Sequence, residues 1–135
     1  MRSPREILEN SVTIAVVGAS RHEEKAAYAV PLQLMLHGWR VIPVNPYATT
    51  IWGERCYPRL DQVLESIDLV NVFRPSFQAA DVVAQAVEIG VRAVWLQQGI
   101  VSAEGRRLAE AAGIDYVEDR CIAVVRAVNR LTRLS

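Results

Sequence analysis

A short glycine turn, Gly18-Ala19-Ser20, follows the first strongly apolar run of the chain and precedes a helical pattern. Glycine lets the backbone turn sharply and approach a ligand closely, and free N–H groups at the start of a helix favour an anion such as pyrophosphate. Ser20 adds a hydroxyl donor, and Arg21 and Lys25 add positive charge. The turn therefore predicts a site for a phosphate-bearing nucleotide. Because the full GxGxxG motif is missing, a glycine that merely ends a strand is the alternative.

The pair Asn45-Pro46 distinguishes between classes of nucleotide. An NAD site usually places an Asp or Glu about 20 residues beyond the glycine turn to bind the ribose diol. Here that region reads Val41-Ile42-Pro43-Val44-Asn45-Pro46, which contains no acid, and Arg40 precedes the strand where an NADP site would need it to follow. The sequence thus argues against a nicotinamide cofactor. Asn45-Pro46 predicts a rigid, uncharged rim with amide hydrogen-bonding groups, or else a plain turn.

Three further polar or conformationally special groups follow later apolar runs: Arg74-Pro75-Ser76, Gln97-Gln98-Gly99 and Glu118-Asp119-Arg120-Cys121. The guanidinium of Arg74 suits a ribose phosphate or a diphosphate, and a surface ion pair is its alternative. Cys121 could approach a ligand thiol, although a buried structural thiol is the simpler interpretation.

Groups that would carry catalysis are not recognisable in the sequence. There is no nucleophile–base pair with useful spacing and no metal motif such as HExxH. His22 could touch a ligand phosphate, and we expect His37 to interact with the end of the helix that precedes Gly38.

The elements that must position these residues alternate regularly between strands and helices. Continuous apolar runs predict buried strands at Val12–Val17, Arg40–Val44, Leu69–Phe73, Val91–Leu96 and Ile114–Val117, with a short extended piece at Thr49–Trp52. Helices are expected at Pro4–Glu9 after a Ser3 cap, through Tyr28–Leu36, at Gln62–Ser66, at Phe77–Ile89 after a Ser76 cap, at Glu104–Ala112 and at Cys121–Leu134. Pro31 should kink the second helix or mark where its regular part begins.

This alternation predicts a Rossmann-like, doubly wound α/β fold with a mostly parallel five- or six-stranded sheet and helices on both faces. Residues 1–135 are expected to form a single domain. In such a fold, ligands bind outside the carboxyl ends of the strands, at the point where the strand order reverses.

Bulk composition excludes several classes of function. Fifteen basic and fifteen acidic residues cancel, which removes the electrostatic argument for non-specific binding of nucleic acid or an anionic membrane and leaves a local basic patch as the alternative. No apolar run reaches the length of a spanning helix, and the first residues lack a secretory signal. The two cysteines form no CxxC pair, so we expect a reducing, cytoplasmic setting. Monomer and homodimer both stay open, and an exposed Trp52 could support a dimer.

Four segments, in order, resemble those of the small bacterial CoA-binding proteins, which are similar to the CoA-binding N-terminal domain of the succinyl-CoA synthetase α subunit. The segments are Val16-Val17-Gly18-Ala19-Ser20, Val41-Ile42-Pro43-Val44-Asn45-Pro46, Val72-Phe73-Arg74-Pro75 and Trp95-Leu96-Gln97-Gln98-Gly99. The resemblance extends from about Ser11 to Asn129.

The resemblance implies that CoA lies across the strand ends. The diphosphate would sit at Gly18-Ala19-Ser20 and at the helix that begins near Lys25. The adenosine end would be bounded by Asn45-Pro46 and Phe73-Arg74-Pro75, and the pantetheine arm would lie near Gln97, Gln98 and Gly99.

The synthetase α subunit carries a second domain with a phosphorylatable histidine, and this chain ends where that domain would begin. We therefore expect a non-catalytic protein that binds CoA or an acyl-CoA. An NAD(P)-binding oxidoreductase or redox-sensing module is the first alternative, and an interaction module that uses the fold without a ligand is the second. Gly18→Val is expected to block the diphosphate while leaving most of the fold intact.

Overall fold

A computed structural model describes all 135 residues, Met1–Ser135. Five strands form one parallel sheet, and two short strands form a separate antiparallel hairpin. The strands are β1 (Thr13–Val17), β2 (Arg40–Val44), β3 (Thr50–Ile51), β4 (Glu54–Arg55), β5 (Leu69–Val72), β6 (Ala93–Leu96) and β7 (Asp115–Val117). The order in the large sheet is β2-β1-β5-β6-β7. The predicted doubly wound parallel sheet is confirmed, with five strands.

Five helices cover the two faces of this sheet. They are α1 (Pro4–Glu9), α2 (Ala26–Leu36), α3 (Ser76–Ile89), α4 (Ala103–Ala112) and α5 (Ile122–Val128), and a 3-10 turn lies at Leu60–Gln62. Successive strand residues alternate between the faces: Ile14 and Val16 join the core under α1, α2 and α5, whereas Ala15 joins the core under α3 and α4. Both faces are therefore buried, as the apolar runs predict. No helix is both long enough and apolar enough to cross a membrane.

Capping contacts occur at three helix ends, and those of Ser3 and His37 are the ones that the sequence predicts. Ser3 accepts from the Glu6 N–H and forms a full capping box, and Ser102 accepts from the Gly105 N–H at 2.9 Å. The His37 ring contacts the Gln33 carbonyl at 2.7 Å, at the end of α2. These contacts fix where the helices begin and end.

Ser76 differs from its expected role. It is the first residue of α3 and not its cap, and its hydroxyl accepts from the Val101 N–H at 3.1 Å. Its hydroxyl therefore ties α3 to the loop that precedes α4.

Two of the helix predictions are wrong: one segment does not form the predicted helix, and one helix is shorter than predicted. In place of Gln62–Ser66 the chain makes a 3-10 turn, because the buried Leu60 anchors the segment and the residues after Val63 expose their side chains. The closing helix ends at Val128 and does not reach Leu134. Arg130 adopts a φ of 53°, which reverses the chain so that Leu131 packs into the core.

The side chain of Trp52 does not form the exposed apolar surface that the sequence suggests. Its ring lies 6.0 Å from that of Tyr28, and its indole N–H donates to the Tyr28 carbonyl at 3.0 Å. The contact fastens the β3–β4 hairpin to α2.

The strand order reverses between β1 and β5. From β1 the chain passes to β2 at one edge of the sheet, and from β5 it continues through β6 to β7 at the other. The crevice beyond the carboxyl ends of β1 and β5 is therefore the position where this class of fold binds its ligands.

Candidate functional site

A groove of about 740 Å³ opens at this point of reversal. Its floor is formed by Val17 and Gly18 at the end of β1, with Asn45 and Pro46 beyond β2 on one side and Arg74 beyond β5 on the other. The loop 58–61 and the outer face of α3 complete the walls. Sites for small molecules usually have volumes of about 300–1,000 Å³, so this groove is large enough for a nucleotide-sized ligand.

Gly18, at the end of β1, packs so closely against the residues that follow β5 that no room is left for a side chain. Its φ is +91°, and an added Cβ would lie 2.8 Å from the Phe73 carbonyl oxygen and 2.9 Å from Cδ of Arg74. A substitution would therefore strain the backbone, push against β5 and displace the stem of Arg74. The expectation that Gly18→Val leaves most of the fold intact is overturned by this geometry.

The rest of the turn is held by hydrogen bonds to α2 and to its own loop. The Ser20 N–H donates to the Ala27 carbonyl at 3.2 Å, and the Ser20 hydroxyl accepts from the His22 N–H at 3.0 Å. Ala27 would normally accept from residue 31, but Pro31 has no N–H to donate. The helix nevertheless begins at Ala26 and continues through Pro31, so the proline does not mark its start.

Because of these hydrogen bonds, the groups that remain available to an anion differ from those that the sequence suggests. The Ser20 N–H is already occupied, whereas the N–H groups of Ala26 and Ala27 have no protein acceptor. Arg21 and Lys25 are exposed and form no ion pair, but neither of them lines the groove. Ala19 and Ser20 are also absent from its walls, and Ala19 is fully buried in the core.

Asn45 joins the ends of β1 and β2. Its Nδ2 donates to the Ala19 carbonyl and its Oδ1 accepts from the Tyr47 N–H, both at 2.7 Å. The side-chain amide therefore fixes the glycine turn on one side and the position of Tyr47 on the other. One donor and one acceptor site of the amide that the sequence offers to a ligand are thus used within the protein.

Arg74 brings an uncompensated positive charge to the groove. Its Nε and Nη2 donate to Oε1 of Gln78, one helical turn further along, at 2.9 and 2.5 Å. No carboxylate lies within ion-pair distance, so the alternative of a surface ion pair is not observed. A half-buried guanidinium that is oriented by a neutral partner keeps donors for an anion.

Phe73 and Pro75, on either side of Arg74, do not line the groove. Phe73 is half-buried and packs against the core beneath α2, and Pro75 is the exposed residue before α3.

The three residues after β6 do not share one surface. Gln97 is buried and its Oε1 accepts from the Ile122 N–H at 3.2 Å, which holds the start of α5. Gln98 lines a second cavity of about 470 Å³ at the ends of β6 and β7. The Gly99 N–H donates to the carboxylate of Asp119 at 2.7 Å, and Asp119 itself has a φ of 56°.

The two cysteines lie in different environments. Cys121 is partly exposed beside Gln98 in the second cavity, in contrast to the buried thiol that the sequence suggests. Cys56 is buried in the core, and this burial raises the pKa of its thiol. No group of three or more His, Cys, Asp or Glu side chains is arranged to hold a metal ion.

Sequence reasoning missed the walls that the loop 58–61 and α3 contribute to the groove, and within the groove it missed Tyr47 and Gln78. Tyr47 is 84% exposed on its rim, and Gln78 orients Arg74. Arg74 precedes α3, so the helical i, i+4 rule does not cover this pair and no sequence signal marks Gln78. For Tyr47, the only signal was an aromatic residue directly after Asn45-Pro46.

Comparison with known proteins assigns the family. A family described as a CoA binding domain matches residues 12–127. The chain belongs to this family. The resemblance to CoA-binding proteins that the strand-end segments indicate is thus confirmed.

Individual relatives match the chain over different lengths. The uncharacterised Bacillus subtilis protein YneT is 34% identical over 126 residues, which is 93% of each chain. A solved structure of a hypothetical protein from Pyrococcus horikoshii superposes with a TM-score of 0.89 at 34% identity, covering 93% of this chain and 88% of that one. The ADP-forming acetate–CoA ligase II of Archaeoglobus fulgidus is 28% identical over 100 residues, which is 73% of this chain and 15% of the ligase.

Proposed function

We propose that the chain binds CoA or an acyl-CoA in the groove at the reversal of strand order and does not convert it. The observation that carries the proposal is the unpaired guanidinium of Arg74, which stands beside Gly18 in a groove of nucleotide size. Family membership supplies the ligand class. The diphosphate would bind over the Gly18-Ala19-Ser20 turn, and Arg74 would donate to it.

Binding without turnover is supported by the engagement of the polar groups of the glycine turn and of Asn45. The amide of Asn45 and the N–H and hydroxyl of Ser20 are hydrogen-bonded to the protein itself. These contacts suit a preformed receptor better than a site that must exchange protons during a reaction. The unpaired state of Cys56 and Cys121 supports a cytoplasmic setting for this receptor.

Calorimetric titration with CoA, acetyl-CoA, NAD and NADP tests the proposal. We expect micromolar binding of CoA or acetyl-CoA and no heat from either nicotinamide nucleotide. Binding of NAD in preference to CoA would support the oxidoreductase alternative. If no nucleotide produced a heat of binding, the result would support an interaction module instead.

A charge-matched pair of variants tests the role of Arg74. Loss of a charge-assisted hydrogen bond costs about 1.5–3 kcal/mol, so Arg74→Gln should weaken CoA binding by about 10- to 150-fold. Arg92→Gln removes the same charge from an exposed arginine that forms no ion pair. Arg92 lies at the amino end of β6, away from the carboxyl ends of the strands, so this variant should leave binding unchanged. Equal effects of the two variants would contradict the placement of the diphosphate.

A further inference from the structure

The ring of Tyr47 is an exposed aromatic surface that the fold does not need. Its side chain is 84% exposed, so its removal would expose little apolar surface of the core. Its backbone is nevertheless fixed, because the Tyr47 N–H donates to Oδ1 of Asn45 at 2.7 Å. The same amide donates to the Ala19 carbonyl through Nδ2. The side chain of Asn45 therefore sets the spacing between the glycine turn and Tyr47.

The surroundings of Tyr47 in the groove include prolines and the ion pair of Arg59 with Asp61 (3.3 Å) on its own side, and two unpaired carboxylates on the other. Pro46 and Pro58 line the wall next to it, and Asp81 and Glu88 line the wall formed by α3. Neither of these carboxylates forms an ion pair, so both keep free acceptors.

Charge is therefore distributed unevenly among the walls. The guanidinium of Arg74 stands beside Gly18, next to the turn, and the outward face of α3 presents the free carboxylates. A ligand phosphate is favoured beside the arginine and repelled by the acids. A neutral ring with an amino group suits the acidic wall, since the amino group donates to carboxylates.

We propose that Tyr47 stacks on the purine base of the bound nucleotide and that Asp81, near the start of α3, accepts from the amino group of that base. The inference rests on the proposed function and deepens it, because it places the adenine of CoA between Tyr47 and α3. Stacking on an aromatic side chain is worth about 1–3 kcal/mol per base, and every base offers a π-face for it. The pantetheine arm has no ring to stack.

Titration of CoA into the unaltered protein and three variants tests this placement. Tyr47→Ala should weaken binding by about 5- to 150-fold, the ratio that corresponds to the stacking free energy. Tyr47→Phe should bind as the unaltered protein does, since it keeps the ring. Phe77→Ala serves as the matched control because Phe77 is 83% exposed and does not line the groove, and it should have no effect.

Fragments of the ligand separate stacking from a general disturbance of the groove. Adenosine 3′,5′-bisphosphate should lose affinity in Tyr47→Ala by the same factor as CoA, whereas competition by pantetheine should be unaltered. If the unaltered protein binds CoA and Tyr47→Ala binds it equally well, the inference is overturned and the proposed function stands. If the unaltered protein does not bind CoA, both are overturned.

Discussion

Replacing Gly18 with alanine measures how closely the ends of β1 and β5 pack at the floor of the groove. The new Cβ would lie 2.8 Å from the Phe73 carbonyl oxygen, which is backbone and cannot move without β5. The φ of +91° adds a penalty of about 1–2 kcal/mol for a residue with a Cβ. Crowding in a packed interior adds about 1–3 kcal/mol. The expected loss is about 2–5 kcal/mol, a large share of the roughly 5–15 kcal/mol that stabilises a typical domain.

Gly90→Ala separates these two contributions. Gly90 ends α3 with a φ of +82°, and no atom lies within 4 Å of the position that its Cβ would take. This variant carries the backbone penalty without the crowding. Urea unfolding followed by circular dichroism at pH 7 should therefore show Gly18→Ala to be less stable than Gly90→Ala by about 1–3 kcal/mol. Equal free energies of unfolding would refute the claim of close packing at Gly18.

Three further outcomes are expected. Asn45→Asp removes the donor to the Ala19 carbonyl and sets a carboxylate against it, so the free energy of unfolding should fall by about 1–3 kcal/mol, and an unchanged urea midpoint would argue against this bond. Iodoacetamide should modify one thiol of the native protein and reach Cys56 only in urea, because that thiol is buried and its pKa is raised; equal rates for both thiols would contradict its burial. The hydrogen bond from Arg40 lowers the pKa of Glu65 from 4.5, so their pairing stabilises the fold above that pH and loses its effect as the pH falls through the lowered value. Glu65→Gln should therefore cost less than about 1 kcal/mol at pH 7 and nothing in strong acid, and an equal cost at both pH values would contradict the shift.

Much of the fold is predictable because buried parallel strands are apolar on both faces and stand out as continuous runs. The predicted elements that are wrong lie where contacts between distant parts of the chain override local sequence preference. The closing helix ends early because the chain reverses at Arg130, and the Arg133 N–H then donates to the His37 carbonyl at 2.8 Å. An added Cβ on Gly38 would lie 2.7 Å from the carbonyl carbon of Arg133. No pattern within residues 121–134 indicates this contact with the end of α2.

The candidate site is predictable in position but not in detail. The rule that ligands bind at strand ends brings Gly18, Asn45 and Arg74 to one groove. It cannot say that the polar atoms of Asn45 are taken by neighbouring backbone, or that Gln97 points inward while Gln98 points into a second cavity. The orientation of these side chains depends on which backbone carbonyl or N–H group lacks a hydrogen-bond partner after the chain has folded.

The glycine turn shows how hydrogen bonds to unpartnered backbone groups produce a preformed site. Gly18 donates its N–H to the Val44 carbonyl, the Ala19 carbonyl accepts from Asn45, and Ser20 donates its N–H to the carbonyl of Ala27. The last bond depends on a proline one turn further along α2, whose missing N–H leaves that carbonyl free. Three successive residues are thus held from β2, from the loop after it and from α2. A ligand that binds over this turn need not order it first, so more of the free energy of its contacts remains as affinity.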